Sequence, residues 1–600
     1  MTSTETGRRI VRIGGGSAFW GDSEIGPHQL VHSGAVDYVV FDYLAELTMS
    51  ILAAARQKDP ALGYATDFVE QTLPAILPEA LTRGVRLVCN AGGINPLGCA
   101  AAARAVSERL GLAPRIAVVT GDDVLHLQDR FVPLDDASPP REARKLLTAS
   151  AYLGAAPIRA ALDRGADIVI TGRCVDSALT LGILQHAFGW RDDDYDLLAS
   201  GSLAGHIIEC GPQATGGLHT DWRDVPDWAH IGYPIVACEA DGTVTVTKPA
   251  GTGGLVTPGA VAEQILYEIG DPGSYRLPDV ACDLRHVTLR QVGPDRVRVT
   301  GARGRAPGAH YKVSATYADG YKCVAQLTVI GDEAVAKARR TGEALLERIN
   351  ERLALRAWPP IVEACTEILG SESSFGAHSR AQAAREVVMR LSVRHPRREA
   401  LELFAREIAA PGTSFAPGTT GLDRRPRPSS VIKLASWLIA KEAVSAVVHD
   451  DGGTFAVGAA SSPPLAGSPA EPAGPTADPG PEAVEVPLFR VALARSGDKG
   501  DISNIGVIAR WPGVLPYLRH ALTPERVRAF LGHAVKGRVT RFEVPGLDAL
   551  NFVCEEALDG GGMASLRNDA LGKAMAQILL SMPVKVPPAW SGEDRRPGSA

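Results

Sequence analysis

The chain has 600 residues, 45% hydrophobic and 22% charged, with a formal net charge of −6, a composition that predicts a soluble globular protein of roughly three or four domain-sized units. No Lys/Arg block runs along it to track a phosphate backbone, and no segment reaches the ~18 uninterrupted apolar residues of a membrane span, so neither nucleic acid nor a bilayer is expected as a partner. The nine cysteines are scattered without a C-x-x-C pair, which argues against a disulfide framework or a zinc knuckle.

The start, MTSTETGRRIVRIGGG, passes from a polar tail straight into a strand pattern without a signal-peptide run, and a cytoplasmic location is expected. Apolar runs IVRI, VDYVVF, VRLVC, RIAVVT and DIVIT then alternate with helix-length segments such as LAELTMSILAAARQ and ALTLGILQHAF. Short β-branched runs without strict alternation suit strands covered on both faces, and their alternation with helices predicts a doubly wound α/β domain with a mostly parallel sheet. Ligands bind such sheets beyond the carboxyl ends of the strands. The residues that follow the runs are GGGSAFWGD, Asp42, NAGGINP, TGDD and TGRCVDS, and their convergence predicts a ligand site there. Asp176 is also placed to cap the helix that begins near Ser177. The first loop does not fit a dinucleotide fingerprint, because Phe19 stands where the last glycine is required and Pro27 follows closely.

Downstream, GHIIECGPQATGG contributes Gln213 and Thr215, and KPAGTGGLVTPGAVAEQILYEIG carries Gly251, Thr252, Gly253 and Gly254 toward a helix capped by Thr257 and Pro258. A glycine loop aimed at a helix N-terminus favours an anion, and a single anion site near Gly15 and Gly253 is expected. His206 and Cys210 are at helical spacing, but two candidate ligands fall short of a metal site, so no metal is expected. Cys210 lacks a demonstrable base and reads as a packing residue.

From about 280 the pattern becomes HVTLRQV, RVRVTGA, HYKVSATY and CVAQLTVI followed by the charged helix KARRTGEALLERINERLA, an α+β unit reaching to about 455. Residues 411–431 are rich in Pro, Gly and Arg and read as an extended loop or linker. Residues 459–484, AASSPPLAGSPAEPAGPTADPGPEAV, have almost nothing to build a core and read as a flexible linker separating residues 1–458 from a module at 485–590. That module reads as a ferredoxin-like α+β domain, with a helix capped by Thr523 and Pro524 and a last helix from Asn568 to Met582. It contains SGDKGDISNIG, a turn with both charge signs, in which Lys499 and Asp501 are expected to reach the ligand or a subunit contact, the alternative being that Lys499 only stabilises its own hairpin.

In order along the chain, GGGSAFWGD, NAGGINP, TGRCVDSAL, GHIIECGPQATGG, PAGTGG and APGTTGL resemble the acyclic terpene utilisation (AtuA) family, and SGDKGDISNIG with the GGG-x-x-S-L-R-x-D segment resembles its companion ferredoxin-like domain. The chain departs from the family pattern at Asp423 to Arg425, where a Gly-Gly pair is usual. The resemblance implies branched or terpenoid acyl-CoA or carboxylate catabolism alongside acyl-CoA carboxylases, with no cofactor beyond CoA carried by the substrate. Taken with the strand-end residues, the expectation is a homo-oligomeric lyase or hydratase. Asp22 or Asp122 would be its base, Asn95 and Arg173 its enolate donors, and Asp176 and Asn90 would converge on the carbonyl. The glycines Gly14, Gly15 and Gly16 would hold the anionic part. A non-catalytic subunit that binds a CoA thioester and docks a carboxylase is the competing expectation.

Overall fold

The computed structural model describes residues 9–134, 145–421, 424–458 and 471–590, apart from the side chains of Glu46 and Leu47. The five apolar runs are strands Ile10–Ser17, Tyr38–Phe41, Arg86–Cys89, Ile116–Thr120 and Ile168–Thr171. They pair in parallel in the spatial order first, second, third, fifth, fourth. Alternate residues enter two different cores. Val39, Phe41, Leu87 and Ile170 pack with helices between Ile25 and Arg109, whereas Val40, Val88 and Val169 pack with helices Ala156–Asp163, Ala178–Phe188 and Tyr195–Ile208. The helices change face because the chain reverses direction across the sheet between the fourth and fifth strands, and a right-handed crossover then needs the opposite face. Such a reversal opens a crevice beyond the strands' carboxyl ends, where Asn90, Asp122 and Arg173 follow three adjacent strands.

Antiparallel strands extend this sheet on both sides to eleven. The hairpin of Thr288–Gly293 and Arg296–Thr300, expected in the α+β unit, belongs here: Val297 and Val299 pair with Val246 and Val244 and bury in the main core. The runs HYKVSATY and CVAQLTVI are two halves of one strand, His310–Ile330. Its first half pairs with Leu146–Ala151 on one side and with Ser429–Ala440 on the other, the latter pairing ending at Lys322, while its second half pairs with Glu386–His395. Helix Ala334–Ala354 covers the second half.

In the C-terminal domain Ala492–Lys499, Ile502–Ala509, Ala549–Cys554 and Val539–Val544 form a four-stranded antiparallel sheet in that order. Thr523 caps the helix Pro524–Phe530 as expected, its hydroxyl accepting from Arg526 N at 3.3 Å. The last helix is shorter than the sequence suggests, Met575–Leu580. The Asp569 carboxylate takes the N–H groups of Lys573 and Ala574, and Asn568 N donates to Glu367 of the α+β unit at 2.8 Å.

This domain is not loosely tethered. Leu493, Ile508, Val544, Leu547 and Ala549 belong to the same apolar cluster as the main domain's helices, and Arg510 makes two hydrogen bonds of 2.6 and 2.7 Å to Asp221. Of the expected linker, residues 459–470 lie outside the described residues, as does Asp423. The remainder is held: Glu471 pairs with Arg285 at 3.2 Å, and Ala477 N donates to the Pro516 carbonyl at 3.1 Å.

Candidate active site

Asp42, Asn90 and the Arg173–Asp176 pair converge at the crevice from three separated parts of the chain. Asp42 follows the second strand and Asn90 the third, and the Asn90 amide donates to Asp42 at 2.6 Å while accepting from Tyr43 N at 2.7 Å. Arg173 follows the fifth strand and donates at 2.7 Å to both the Leu44 carbonyl and Asp176. Its guanidinium lies 4.1 Å from the centroid of the Tyr152 ring, which replaces water over its face. Asp122 stands behind this group, accepting from Arg173 N at 2.8 Å.

Glu209 enters immediately after helix Tyr195–Ile208, which packs on the same face of the sheet as helix Ala178–Phe188. Carboxylate oxygens of Asp42, Asp176 and Glu209 lie within 4.8 Å of one another. The close approach depends on Gly15, whose added Cβ would stand 2.3 Å from the Ile208 carbonyl oxygen. Burial raises the Asp42 carboxyl well above its ordinary range, helped by Asp176 and opposed by Arg173. Burial also raises Glu209, against the pull of His206, and lifts Asp122 to about 7.

His206, one turn before Glu209, fixes where a proton resides. Its Nε2 is 3.2 Å from the Ile265 carbonyl, which can only accept, so Nε2 carries hydrogen. Its Nδ1 is 2.8 Å from Glu209 Oε1, so one proton is shared between imidazole and carboxylate. Burial alone would depress the imidazole, but the Glu209 charge and hydrogen bond hold it above its ordinary value. Carboxylates this close do not all ionise together. The group can therefore hold and pass protons; its three carboxylates lie close enough to share a cation, but each is already engaged, by Asn90, Arg173 and His206 respectively, a set of partners suited to protons rather than to a metal ion.

Comparison with known families agrees with this architecture. Residues 11–450 match the acyclic terpene utilisation family protein AtuA, and residues 486–585 match the AtuA ferredoxin-like domain. The chain belongs to the AtuA family. Among curated proteins none matches.

Other positions singled out in this AtuA chain have different surroundings. Gly14, Gly15 and Gly16 are not a loop but the end of the first strand; they admit Leu30, Ile208 and Phe41, respectively, where a Cβ would collide. The N–H groups of Gly253 and Gly254 are taken by the His230 and Pro226 carbonyls, and Thr252 Oγ1 donates to Pro249 O. Gly251 adopts φ 78° at the turn. That loop is thus closed onto residues 226–232. Thr215 donates to the Gly232 carbonyl at 2.6 Å, and Gln213 accepts from Arg495 of the C-terminal domain at 2.6 Å.

Asn95 caps helix Pro96–Arg109, accepting from Gly98 N at 3.2 Å. Asp22 accepts from Ala18 N and the Tyr233 hydroxyl. Asp176 pairs with Arg173, and the helix after it begins at Ala178 without a side-chain cap. Lys499 pairs with Glu268 at 2.7 Å, while Asp501 accepts from Leu558 N and Gly560 N. Asp42 was visible as a strand-end residue. Glu209 had only its i, i+3 spacing from His206 as a signal.

Proposed function

We propose that this protein moves a proton beside the carbonyl of a branched or terpenoid acyl group, carried as a CoA thioester or a free carboxylate, in a hydratase or lyase reaction. The observation that carries the reading is the buried His206–Glu209 pair, which shares one proton and faces Asp42 and Asp176. In hydration, the water oxygen bonds to the β-carbon as the C=C π electrons take up a proton at the α-carbon; elimination reverses both. Glu209 delivers or takes the α-proton, with His206 as its reservoir, and Asp42 or Asp176 accepts the proton released by water. Arg173 holds Asp176 in place, and Asn90 does the same for Asp42. The family's link to acyclic terpenes supports a branched substrate.

Incubation of the full chain with a panel of saturated, unsaturated and 3-hydroxy branched acyl-CoA thioesters, read by mass spectrometry, tests this. A gain or loss of one water with the wild type, lost in Glu209→Gln at unchanged melting temperature, is expected. Equal turnover by Glu209→Gln would overturn it.

A further inference from the structure

The residues Gln264 to Gly270, at the end of helix Pro258–Leu266, are bonded on two sides. On one side they hold His206: the Ile265 carbonyl meets its Nε2, and the Gln264 amide donates to the His206 carbonyl at 2.9 Å. On the other side they are held by the C-terminal domain. Asn504 donates to the Leu266 carbonyl at 2.7 Å, and Asn551 donates to the Ile269 and Gly270 carbonyls at 2.8 and 2.7 Å. The two amides are joined to each other at 3.0 Å. Lys499 and Lys573 bracket Glu268 at 2.7 and 3.3 Å, and Lys573 also pairs with Asp498 at 2.6 Å.

The SGDKGDISNIG run now has a physical explanation. Gly497 and Gly506 leave no room for a side chain, because a Cβ would lie 2.5 Å from Glu268 Cγ and 2.6 Å from Leu266 Cβ. Lys499 and Asn504 supply the polar contacts between them. A hairpin needed only for its own fold has no use for this arrangement, whereas a hairpin that clamps a helix end against a buried histidine requires it.

We propose that the C-terminal domain sets the working geometry of the His206–Glu209 pair, with Lys499 and Asn504 as positioning residues that act through the Ile265–Glu268 turn. This rests on the reading of His206 and Glu209 as a proton-transfer pair. The charged and titratable groups around that pair come from several elements: Asp42, Asp176 and Arg173 from the strand ends, Tyr275 beside the imidazole, and Glu268 with Lys499 from the domain seam. Removal of the Lys499 cation makes the shared proton harder to lose, and removal of the Asn504 amide loosens the carbonyl that holds Nε2–H.

The test uses the full chain labelled with ¹⁵N-histidine, His206 being assigned by His206→Gln. In Lys499→Met the His206 titration midpoint should rise by ~0.5 pH unit or more. In Asn504→Leu the Nε2–H should exchange with water at least ~10-fold faster. Lys499→Arg should restore the midpoint, and Lys536→Met, on the domain's exposed side, should leave both readouts as in the wild type. An unchanged midpoint in Lys499→Met together with unchanged exchange in Asn504→Leu would overturn the proposal. So would a lowered melting temperature with a midpoint that Lys499→Arg fails to restore, since the contact would then serve docking alone. A Glu209→Gln variant in which His206 titrates as in the wild type would overturn the proton pair itself, and the positioning role with it.

Discussion

Replacing Asp122 with Asn tests how the crevice treats charge. Burial lifts the Asp122 carboxyl from 3.8 to about 7, only partly offset by the hydrogen bond from Arg173 N. Between those values the folded chain keeps a proton that the unfolded chain releases. The stabilisation is therefore complete below the unfolded value and is lost as pH rises through the folded one. About three pH units at about 1.4 kcal/mol each amount to about 4 kcal/mol of destabilisation once the carboxylate is ionised. Asn retains an acceptor for Arg173 N and cannot ionise. Urea unfolding followed by tryptophan fluorescence should therefore show the variant gaining on the wild type by about 3 kcal/mol between pH 5 and pH 8. Parallel pH profiles, or a variant less stable than the wild type at pH 8, would refute the reasoning, because the buried carboxylate would then be compensated in the fold.

Gly15→Ala should lower the melting temperature, with about 1–3 kcal/mol of overpacking against the Ile208 carbonyl, and a thermal scan that does not move would contradict this. Cleavage within residues 459–470 should leave two fragments that co-elute on size exclusion, since the domains share an apolar cluster; a freely separating fragment ending near 458 would show otherwise. Arg519→Met removes the 2.8 Å partner of the buried Glu543 carboxylate and leaves Arg541 at 3.6 Å as a remaining cationic neighbour. It should cost about 1–3 kcal/mol in chemical unfolding, less than a fully orphaned buried charge because Arg541 stays beside the carboxylate; a single variant as stable as the wild type would contradict the pairing.

The parallel strands were legible because double-faced burial writes continuous apolar runs such as VDYVVF and DIVIT. Helix ends were legible where Thr and Pro stand together, at Thr257–Pro258 and Thr523–Pro524. The strand-end rule brought Asn90, Arg173, Asp176 and Asp122 to one place. It missed Glu209, which reaches the crevice from the end of a helix rather than of a strand, and Glu268, whose surroundings exist only once the C-terminal domain docks. Three consecutive glycines read as a loop, yet Gly14 to Gly16 stay in the strand because Leu30, Ile208 and Phe41 occupy the space that side chains would need. The hairpin Thr288–Thr300 was assigned to the wrong sheet for a related reason. Alternation identifies a strand but not its neighbour, and only the burial of Val297 and Val299 against Val244 and Val246 decides that.

The measurement that bears most directly on proton transfer at Glu209 is deuterium wash-in. The full chain is incubated in D₂O with branched acyl-CoA thioesters shown by thermal shift to bind, and deuterium at the carbon beside the carbonyl is read by mass spectrometry. The wild type should introduce the label, and Glu209→Gln, folded to the same melting temperature, should lose that exchange. Thioesters that bind yet take up no deuterium, or equal exchange by Glu209→Gln, would contradict the account.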